Sequence, residues 1–534
     1  MSLRAFELLA VVAFTGVALA APDDRRVPST WAVGGASATR VRLASGLPKF
    51  ALFGWVSPPA DSTNAARIGE LAGANLNLTL PPWEDQGHVA DNLLRLDLDA
   101  ANGIRGLVFD ERFERFLTLD VNSPGGSALL DSIVSTYKDH PGFAGYYLGD
   151  EPPAHQFELL GKLHRALRQR DPEHPAWNDL VTYYAFATRE EWLSYMRAYL
   201  DSTGAAVLCD NEYDFLNSGD RGRFVDNAAT LAVVARERGI PFWAIVQLIA
   251  HLEYRPLSDA ELLWQVSTLL AYGARGVGYF TYWTPAPNPI FNWQEGMIGW
   301  DGQRTHWYAT VAALNEKVAP VGEILADLTR LATKHAGSVP FGAIGFTPDP
   351  WVLDVRGRAM LGEFADSTGT RYLVVVNPDS ASARTIDLIL PFTRSVEQFD
   401  EASGLWHAPA SGALGSRGFA LTLSLAAGDL ALLRLTGEWN ALPSRKGPAL
   451  RLAPNPANRR ITFALGNVAA RGRIEILDAG GRRVWSRALA PGSSAHEWQG
   501  ERDQGDVARA GLYFVRAEDV RGVTVARLTW LGAR

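Results

Sequence analysis

Two adjacent acids, Asp150 and Glu151, stop the apolar, aromatic run from Phe143 to Leu148 and are followed by Pro152 and Pro153. Proline fits the first turn of a helix, where its missing N–H costs nothing. The run reads as a buried strand and the segment after the prolines as a helix, so both acids stand at a strand's C-terminal end. In a parallel α/β barrel that rim carries the catalytic groups. Glu151 is therefore a candidate general acid. A carboxyl group fills that role when apolar neighbours such as Tyr147 help it keep its proton, and an ionised Asp150 beside it acts in the same direction. The alternative is that one of the two acids merely caps the following helix.

One chemistry that uses two rim carboxylates is glycoside hydrolysis, in which the second would stand on the far side of the anomeric carbon, at about 5–5.5 Å from the first for retention and about 6.5–9.5 Å for inversion. The run Leu208-Cys209-Asp210-Asn211-Glu212-Tyr213 supplies candidates. Asp210 directly follows its strand, and Tyr213 is placed to orient it, so Asp210 is the expected catalytic partner; a structural role for Asp210 and Glu212 is the alternative. Glu253 reads as a solvated charge or one paired with Arg255. Glu295 shares its loop region with Trp293, Trp300 and Trp307, which makes a sugar-contacting loop or a folded lid. Trp55, Trp83, Trp243 and Trp283 fall at or just beyond strand ends and could stack on sugar rings; for any one of them a core position is the alternative. The expected substrate-binding set is Trp55, Trp83, Tyr147, Asp150, Tyr213, Gln247, Trp283 and Glu295. His88, His155, His251 and His306 lack a metal-ligand spacing such as His-Glu-x-x-His. There is no Gly-x-Ser-x-Gly elbow for a serine nucleophile. No metal and no cofactor are expected.

The elements that must hold these residues alternate regularly. Strands are expected at Phe50–Val56, Asn75–Leu80, Ile104–Asp110, Phe143–Leu148, Leu180–Ala185, Ala205–Asp210, Pro241–Leu248 and Ala274–Trp283, each followed by a helical pattern. Thr188-Arg189-Glu190-Glu191 and Ser258-Asp259-Ala260-Glu261 are capping-box signatures. Short, continuous apolar strands suit a parallel sheet covered on both faces, and eight β–α units suit a (β/α)₈ TIM barrel. An open doubly wound sheet would need a phosphate-binding glycine turn to look functional, and none is evident. Beyond Leu331 short alternating strands take over, separated by turn signals such as Asn377-Pro378-Asp379-Ser380 and Ser403-Gly404. The expected organisation is a signal peptide at 1–20, a lead-in at 21–49, the barrel at 50–331, an all-β sandwich at 332–437, a linker at 438–449 and an Ig-like module at 450–534.

The chain has 534 residues, too many for one core. A net charge of −7 with no long basic run argues against a nucleic-acid partner. Arg4, the apolar run Leu8 to Val17 and Ala18-Leu19-Ala20 form a secretory signal with cleavage expected after Ala20. That run is short for a membrane span, and no transmembrane segment is expected. Cys209 is the single cysteine, so it has no partner for an internal disulfide.

Residues 50–330 resemble the clan-A glycoside hydrolases, including family 42 β-galactosidases. The segments that carry the likeness are Gly145 to Pro152 and Ala271 to Trp283. The resemblance implies an exported glycosidase acting on a β-linked oligo- or polysaccharide, with Glu151 as general acid/base. The chain departs from the clan twice. Asp150 stands where the clan has Asn before the acid, and Gln247 ends strand seven where the clan has its nucleophilic Glu. A neutral amide cannot form the glycosyl ester, so a non-catalytic carbohydrate-binding or structural barrel is the alternative. Ala453-Pro454-Asn455-Pro456-Ala457 with Ile474 to Val484 resembles the type IX secretion sorting domain. Trp498 to Gly505 with Ala510 to Phe514 resembles the flagellar hook-cap (FlgD) type of Ig-like domain. These likenesses imply secretion or cell-surface anchoring machinery as a partner and a secreted or surface location.

Overall fold

The computed structural model describes residues 46–82, 87–391, 395–409, 411–414, 419–436, 449–466, 472–478, 483–519 and 522–532. The expected signal peptide at 1–20, residues 21–45 of the lead-in expected at 21–49, residues 438–448 of the linker expected at 438–449, and Trp83 lie outside them. Two compact units divide the chain, one ending at Thr436 and one beginning at Gly437.

The first unit begins as a (β/α)₈ barrel and continues into all-β sheets, which is the expected fold class. Its strands are β1 (Ala51–Trp55), β2 (Leu78–Thr79), β3 (Arg105–Val108), β4 (Phe143–Tyr147), β5 (Ala176–Trp177), β6 (Leu208–Glu212), β7 (Phe242–Gln247) and β8 (Gly276–Phe280). They pair in parallel in the order β5-β4-β3-β2-β1-β8-β7-β6. The seam between β5 and β6 is closed by one parallel bridge, Leu180 with Asp210, and the Leu180 N–H donates to the Cys209 carbonyl at 3.0 Å. The helices are α1 (Ala65–Gly73), α2 (Val89–Ala101), α3 (Pro124–Tyr137), α4 (Phe157–Arg170), α5 (Arg189–Thr203), α6 (Phe224–Arg238), α7 (Asp259–Tyr272) and α8 (His306–Ala326). The Thr188 hydroxyl accepts from the Glu191 N–H, and Ser258 with Glu261 forms a complete capping box.

Strand five departs from the sequence expectation. It occupies Ala176–Trp177, not Leu180–Ala185, and Tyr183–Ala185 is a turn of 3-10 helix. The run from Leu180 has strand-like composition, but only Leu180 finds a partner strand. The chain then crosses the barrel mouth, and pairing rather than propensity decides the assignment.

Alternation along the strands fills the barrel with rings. Phe53 lies 5.5 Å from Trp243, Trp177 lies 6.1 Å from Trp243, and Tyr147 lies 5.5 Å from Trp177 between centroids. Trp243, considered above as a stacking platform, is wholly buried in this core. Strand β8 makes the room: a Cβ on Gly276 would come 2.6 Å from Trp243 Cδ1, and one on Gly278 would come 2.4 Å from Phe53 Cε2.

After α8 come β9 (Thr329–Ala336), β10 (Ile344–Gly345), β11 (Asp354–Arg356), β12 (Ala359–Ala365), β13 (Arg371–Val376), β14 (Arg384–Leu390), β15 (Ser395–Asp400), β16 (Leu405–His407), β17 (Gly412–Leu414), β18 (Phe419–Leu425) and β19 (Leu430–Thr436). They form a seven-stranded sheet, β10-β9-β12-β13-β19-β15-β16, and a four-stranded sheet, β11-β14-β18-β17. Leu361, Leu373, Val375 and Leu433 face the second sheet, while Met360, Phe364, Val374, Val376 and Leu432 join the barrel's core. Burial on both faces explains why Tyr372 to Val376 is apolar throughout. The second unit has its own core around Phe463, Ile476, Trp485, Trp498 and Trp530, between sheets Ala449–Ala453/Ile461–Gly466/Ala495–Trp498 and Arg483–Leu489/Gly472–Asp478/Gly511–Asp519/Gly522–Trp530.

The barrel packing gives a direct test. Gly278→Ala is expected to destabilise the first unit by about 1–3 kcal/mol, the usual cost of overpacking, read from its denaturant midpoint. An unchanged midpoint would show that Phe53 can move aside.

Candidate functional site

At the C-terminal mouth of the barrel lies a cleft of about 580 Å³. Its acids come from two strand ends. After β4 the chain turns through Gly149 at φ 116° and Glu151 at φ 42°. The left-handed backbone at Glu151 is uncommon for a non-glycine residue and marks stored strain. The turn brings Asp150 and Glu151, consecutive in sequence, into the lining of one cleft. It is pinned from the β5 side: the Glu151 N–H donates to the Asp179 carbonyl at 3.0 Å, and Asn178 Nδ2 donates to the Gly149 carbonyl at 2.9 Å. The Tyr195 hydroxyl holds the Pro152 carbonyl at 2.7 Å. Neither acid caps the following helix, because α4 starts after Gln156 and has no side-chain cap.

Asn211 joins the two strand ends. Its Nδ2 donates to Glu151 Oε1 at 3.1 Å and to Asp179 Oδ2 at 2.9 Å. Carboxylates only accept, so the amide must turn its nitrogen toward them. Burial pushes the Glu151 carboxyl above the usual carboxylate range, against the Asn211 hydrogen bond, which favours the ionised form. Burial raises Asp179 further still, and the charge of Asp210 adds to it.

The β6 strand shows why Asp210 is not at the cleft. Side chains alternate along a strand, and Asn211 takes the cleft-facing position. Asp210 Oδ2 is held by Asn227 Nδ2 of α6 at 2.8 Å, and Glu212 Oε2 by the Thr182 hydroxyl at 2.8 Å. Both are buried, and burial raises Asp210 to about 7 and Glu212 to about 8. Asp210, expected as the second acid, therefore lies outside the cleft lining, and Asp179 occupies the place facing Glu151's partner amide.

Rings make the rest of the wall. Phe280 lies 5.4 Å from Tyr213 and 5.8 Å from Trp293, and Phe291 stacks on Trp293 at 4.6 Å. Trp55, Tyr184 and Tyr254 complete it. His251 lies 5.1 Å from Trp293, and burial lowers its pKa to about 4, so it is neutral at pH 7.

Of the expected site residues, Trp55, Asp150, Glu151 and Tyr213 line the cleft. Tyr147 lies behind Trp55, at 5.9 Å, in the barrel core. Gln247 is buried and its amide is used internally: Oε1 accepts from the Phe215 N–H, and Nε2 donates to the Arg255 carbonyl at 3.0 Å. It ties the loops after β6 and β7 together and does not line the cleft. Trp283 sits outside the cleft beneath the Arg67 guanidinium, at 5.3 Å, and Glu295 is exposed and also outside it. Glu253 does line the cleft, and its ion partner is Arg221 at 3.5 Å; Arg255 instead binds Asp220 and Glu261. The sequence reading missed Asp179, Asn211, Tyr184 and Tyr254. Asp179 had the same signal as Asp150, an acid just past an apolar strand, but the misplaced fifth strand concealed it. Among the described residues no group of three or more His, Cys, Asp or Glu could hold a metal ion.

No family model matches the chain, and no curated protein does. Solved structures with related architecture include glycoside hydrolases. A β-galactosidase from Marinomonas is 11% identical, covering 52% of this chain and 62% of its own, with a TM-score of 0.41. A family 5 glycoside hydrolase from Bacteroides vulgatus is 12% identical over 75% of this chain and 92% of its own, with a TM-score of 0.48. A family 27 β-L-arabinopyranosidase from Geobacillus stearothermophilus is 10% identical over 74% and 97%, with a TM-score of 0.42. This chain thus spans less than two thirds of the β-galactosidase. At such identities no residue role carries over, and the reading of the site rests on its own geometry.

The buried acids fix a pH dependence. Below about pH 4 Asp210 and Glu212 hold their protons folded or unfolded. As pH rises the unfolded chain ionises them near their ordinary 3.8 and 4.5, while the fold keeps them neutral up to about 7 and 8. Stability therefore falls with rising pH across that window. The buried histidines His164, His251 and His335, lowered to about 4, act in the opposite sense only below their ordinary 6.5. Between about pH 6.5 and 8 the acids act unopposed by them. The melting temperature is expected to fall there, and Glu212→Gln to flatten the fall. An unchanged slope in that variant would show that Glu212 is ionised in the fold.

Proposed function

We propose that this chain is a glycoside hydrolase that cleaves a β-linked oligo- or polysaccharide, with Glu151 as general acid/base and Asp179 as the second carboxyl group. The observation that carries the reading is the Asn211 amide shared between them. Both carboxyl groups lie within hydrogen-bond reach of one nitrogen, at 3.1 and 2.9 Å, which keeps them close enough to act as a pair.

Burial favours the protonated forms of both acids. Glu151 is the half-buried member and Asp179 the buried one. A sugar seated over Glu151 strips its remaining water and draws the proton onto it. Asn211 already occupies Oε1, so Oε2 carries the proton that passes to the leaving oxygen. Asp179 then attacks the anomeric carbon as the glycosidic C–O bond breaks, forming an ester. Glu151, now ionised, takes a proton from water as that water attacks the same carbon and releases Asp179. The ring faces of Trp55, Tyr213 and Trp293 provide apolar surfaces for the C–H faces of the sugar. The second reading is a barrel that binds carbohydrate without turnover. Gln247 favours it, since the clan's nucleophile position carries an amide. Export through residues 1–20 and surface attachment through residues 450–534 belong to either reading and rest on the sequence motifs.

In purified protein Glu151→Gln is expected to slow natural glycosides by about 10²–10⁴-fold and to spare aryl glycosides whose leaving group needs little protonation. Asp179→Asn is expected to stop both. Wild-type turnover in both folded variants would reject the pair. Loss of activity in Asp210→Asn alone would move the second role to β6. Retention of a glycan with no product released would establish the binding reading instead.

A further inference from the structure

His251 belongs to the cleft wall, and its two ring nitrogens stand in different surroundings. Aromatic rings enclose it, with Tyr254 at 4.8 Å, Phe280 at 5.2 Å and Tyr213 at 5.9 Å between centroids. Nδ1 meets the Ile249 carbonyl at 3.2 Å. A carbonyl oxygen only accepts, so Nδ1 carries the proton. Burial lowers the pKa of the ring to about 4, and a neutral imidazole has a single N–H, so Nε2 is left as a bare acceptor. Nε2 has no hydrogen-bond partner among the described residues, and although the residue is only 6% exposed this atom is not sealed from outside. The open space that the ring borders is the cleft. The turn that presents it is held at several points. The Tyr254 N–H donates to the His251 carbonyl at 2.8 Å, the Leu252 N–H to the Phe291 carbonyl at 2.8 Å, and the Gln294 N–H to the Ala250 carbonyl at 3.0 Å. Leu252 sits at φ 48°, a conformation that a bulky residue keeps only where its surroundings enforce it.

We propose that His251 is a specificity-determining residue of the cleft: its Nε2 accepts the proton of one sugar hydroxyl, so the cleft takes glycans in which that hydroxyl is free and rejects those in which it is replaced by hydrogen or fluorine or capped as an ether or ester. A hydroxyl is the sugar group that brings an O–H to such an atom, and a rigid acceptor left without one costs binding. A site built to hydrogen-bond a substrate hydroxyl discriminates against the analogue that lacks it more sharply than an apolar pocket does. Fluorine matches the hydroxyl in size but has no proton to give, and an ether has lost its proton and gained bulk. The rings around His251 fix the direction of the acceptor, since the imidazole cannot turn without displacing them. The inference rests on the glycan-binding reading above and names how that same cleft would recognise its sugar.

The test is equilibrium binding to the full chain carrying Glu151→Gln, which slows turnover, with the histidine ring nitrogens isotope-labelled for NMR. The probes are the methyl β-glycosides of glucose, galactose, mannose and xylose and their β-linked oligomers, then the monodeoxy, monofluoro and mono-O-methyl analogues of the tightest binder. Without sugar, His251 is expected in the Nδ1–H form with the signal of a bare Nε2, and a sugar that binds is expected to shift that signal toward a hydrogen-bonded nitrogen. At one hydroxyl position all three replacements are expected to weaken binding by about tenfold or more. His251→Phe, which keeps a ring and loses the acceptor, is expected to bind the parent sugar and that deoxy analogue alike. His251→Gln, which returns an acceptor oxygen, is expected to restore part of the discrimination. An Nε2–H ring, a fluoro analogue that binds like the parent at that position, or discrimination unchanged in folded His251→Phe would overturn the inference while leaving glycan binding intact. If His251→Phe does not fold, the ring form and the fluoro series decide the matter on the unsubstituted histidine. Failure of every sugar to bind would instead reject the glycan reading on which this rests, and the inference with it.

Discussion

The cleft floor depends on the seam where β5 meets β6. One bridge between Leu180 and Asp210 completes the barrel there. Closure sets Asp179, from one side of the seam, against Asn211 from the other, and the same stretch of β5 supplies the carbonyl that holds the Glu151 N–H. If the seam opened, the two carboxyl groups would lose the amide that they share. The strained turn at Glu151 would lose its anchor as well.

Beneath that floor the barrel is a packed core rather than a pore. Phe53, Tyr147, Trp177 and Trp243 fill it, and the glycines of β8 give way to them. The consequence is electrostatic as much as steric. Carboxyl groups at the mouth of a core packed with rings lose water, and their protonated forms gain. The same packing that stabilises the barrel thus favours the protonated forms of Glu151 and Asp179. The outward-facing acids of β6 share the burial without sharing the cleft, which is why a shifted pKa alone would not have told Asp179 from Asp210.

The two β-rich regions relate to the barrel differently in sequence terms. Strands β12, β13 and β19 are buried on both faces, with alternate side chains serving the barrel and the sandwich. This part of the chain is therefore continuous with the barrel's stability. The unit beginning at Gly437 gathers its tryptophans and isoleucines into a separate core.

The sequence by itself determined the succession of barrel elements, most strand positions and the strand-four acids, because each depends on local pattern: apolar runs, capping residues and prolines act within a few residues of themselves. It also singled out Gln247 as an amide at the end of strand seven, where the glycoside hydrolases it resembles carry an acid. Tertiary structure decided which acids face one another. Strand five moved because a strand exists only where a neighbour pairs with it, and the β-like run after Leu180 had none beyond that residue. The acid that lines the cleft beside Glu151 is accordingly Asp179 and not Asp210, because the face a side chain takes is set by sheet register and barrel closure. Asn211 could not be read as the link between two acids until residues 60 positions from Glu151 and 32 from Asp179 were brought within hydrogen-bond reach. Such contacts belong to the closed barrel, since nothing in the local sequence of any of the three residues encodes the other two.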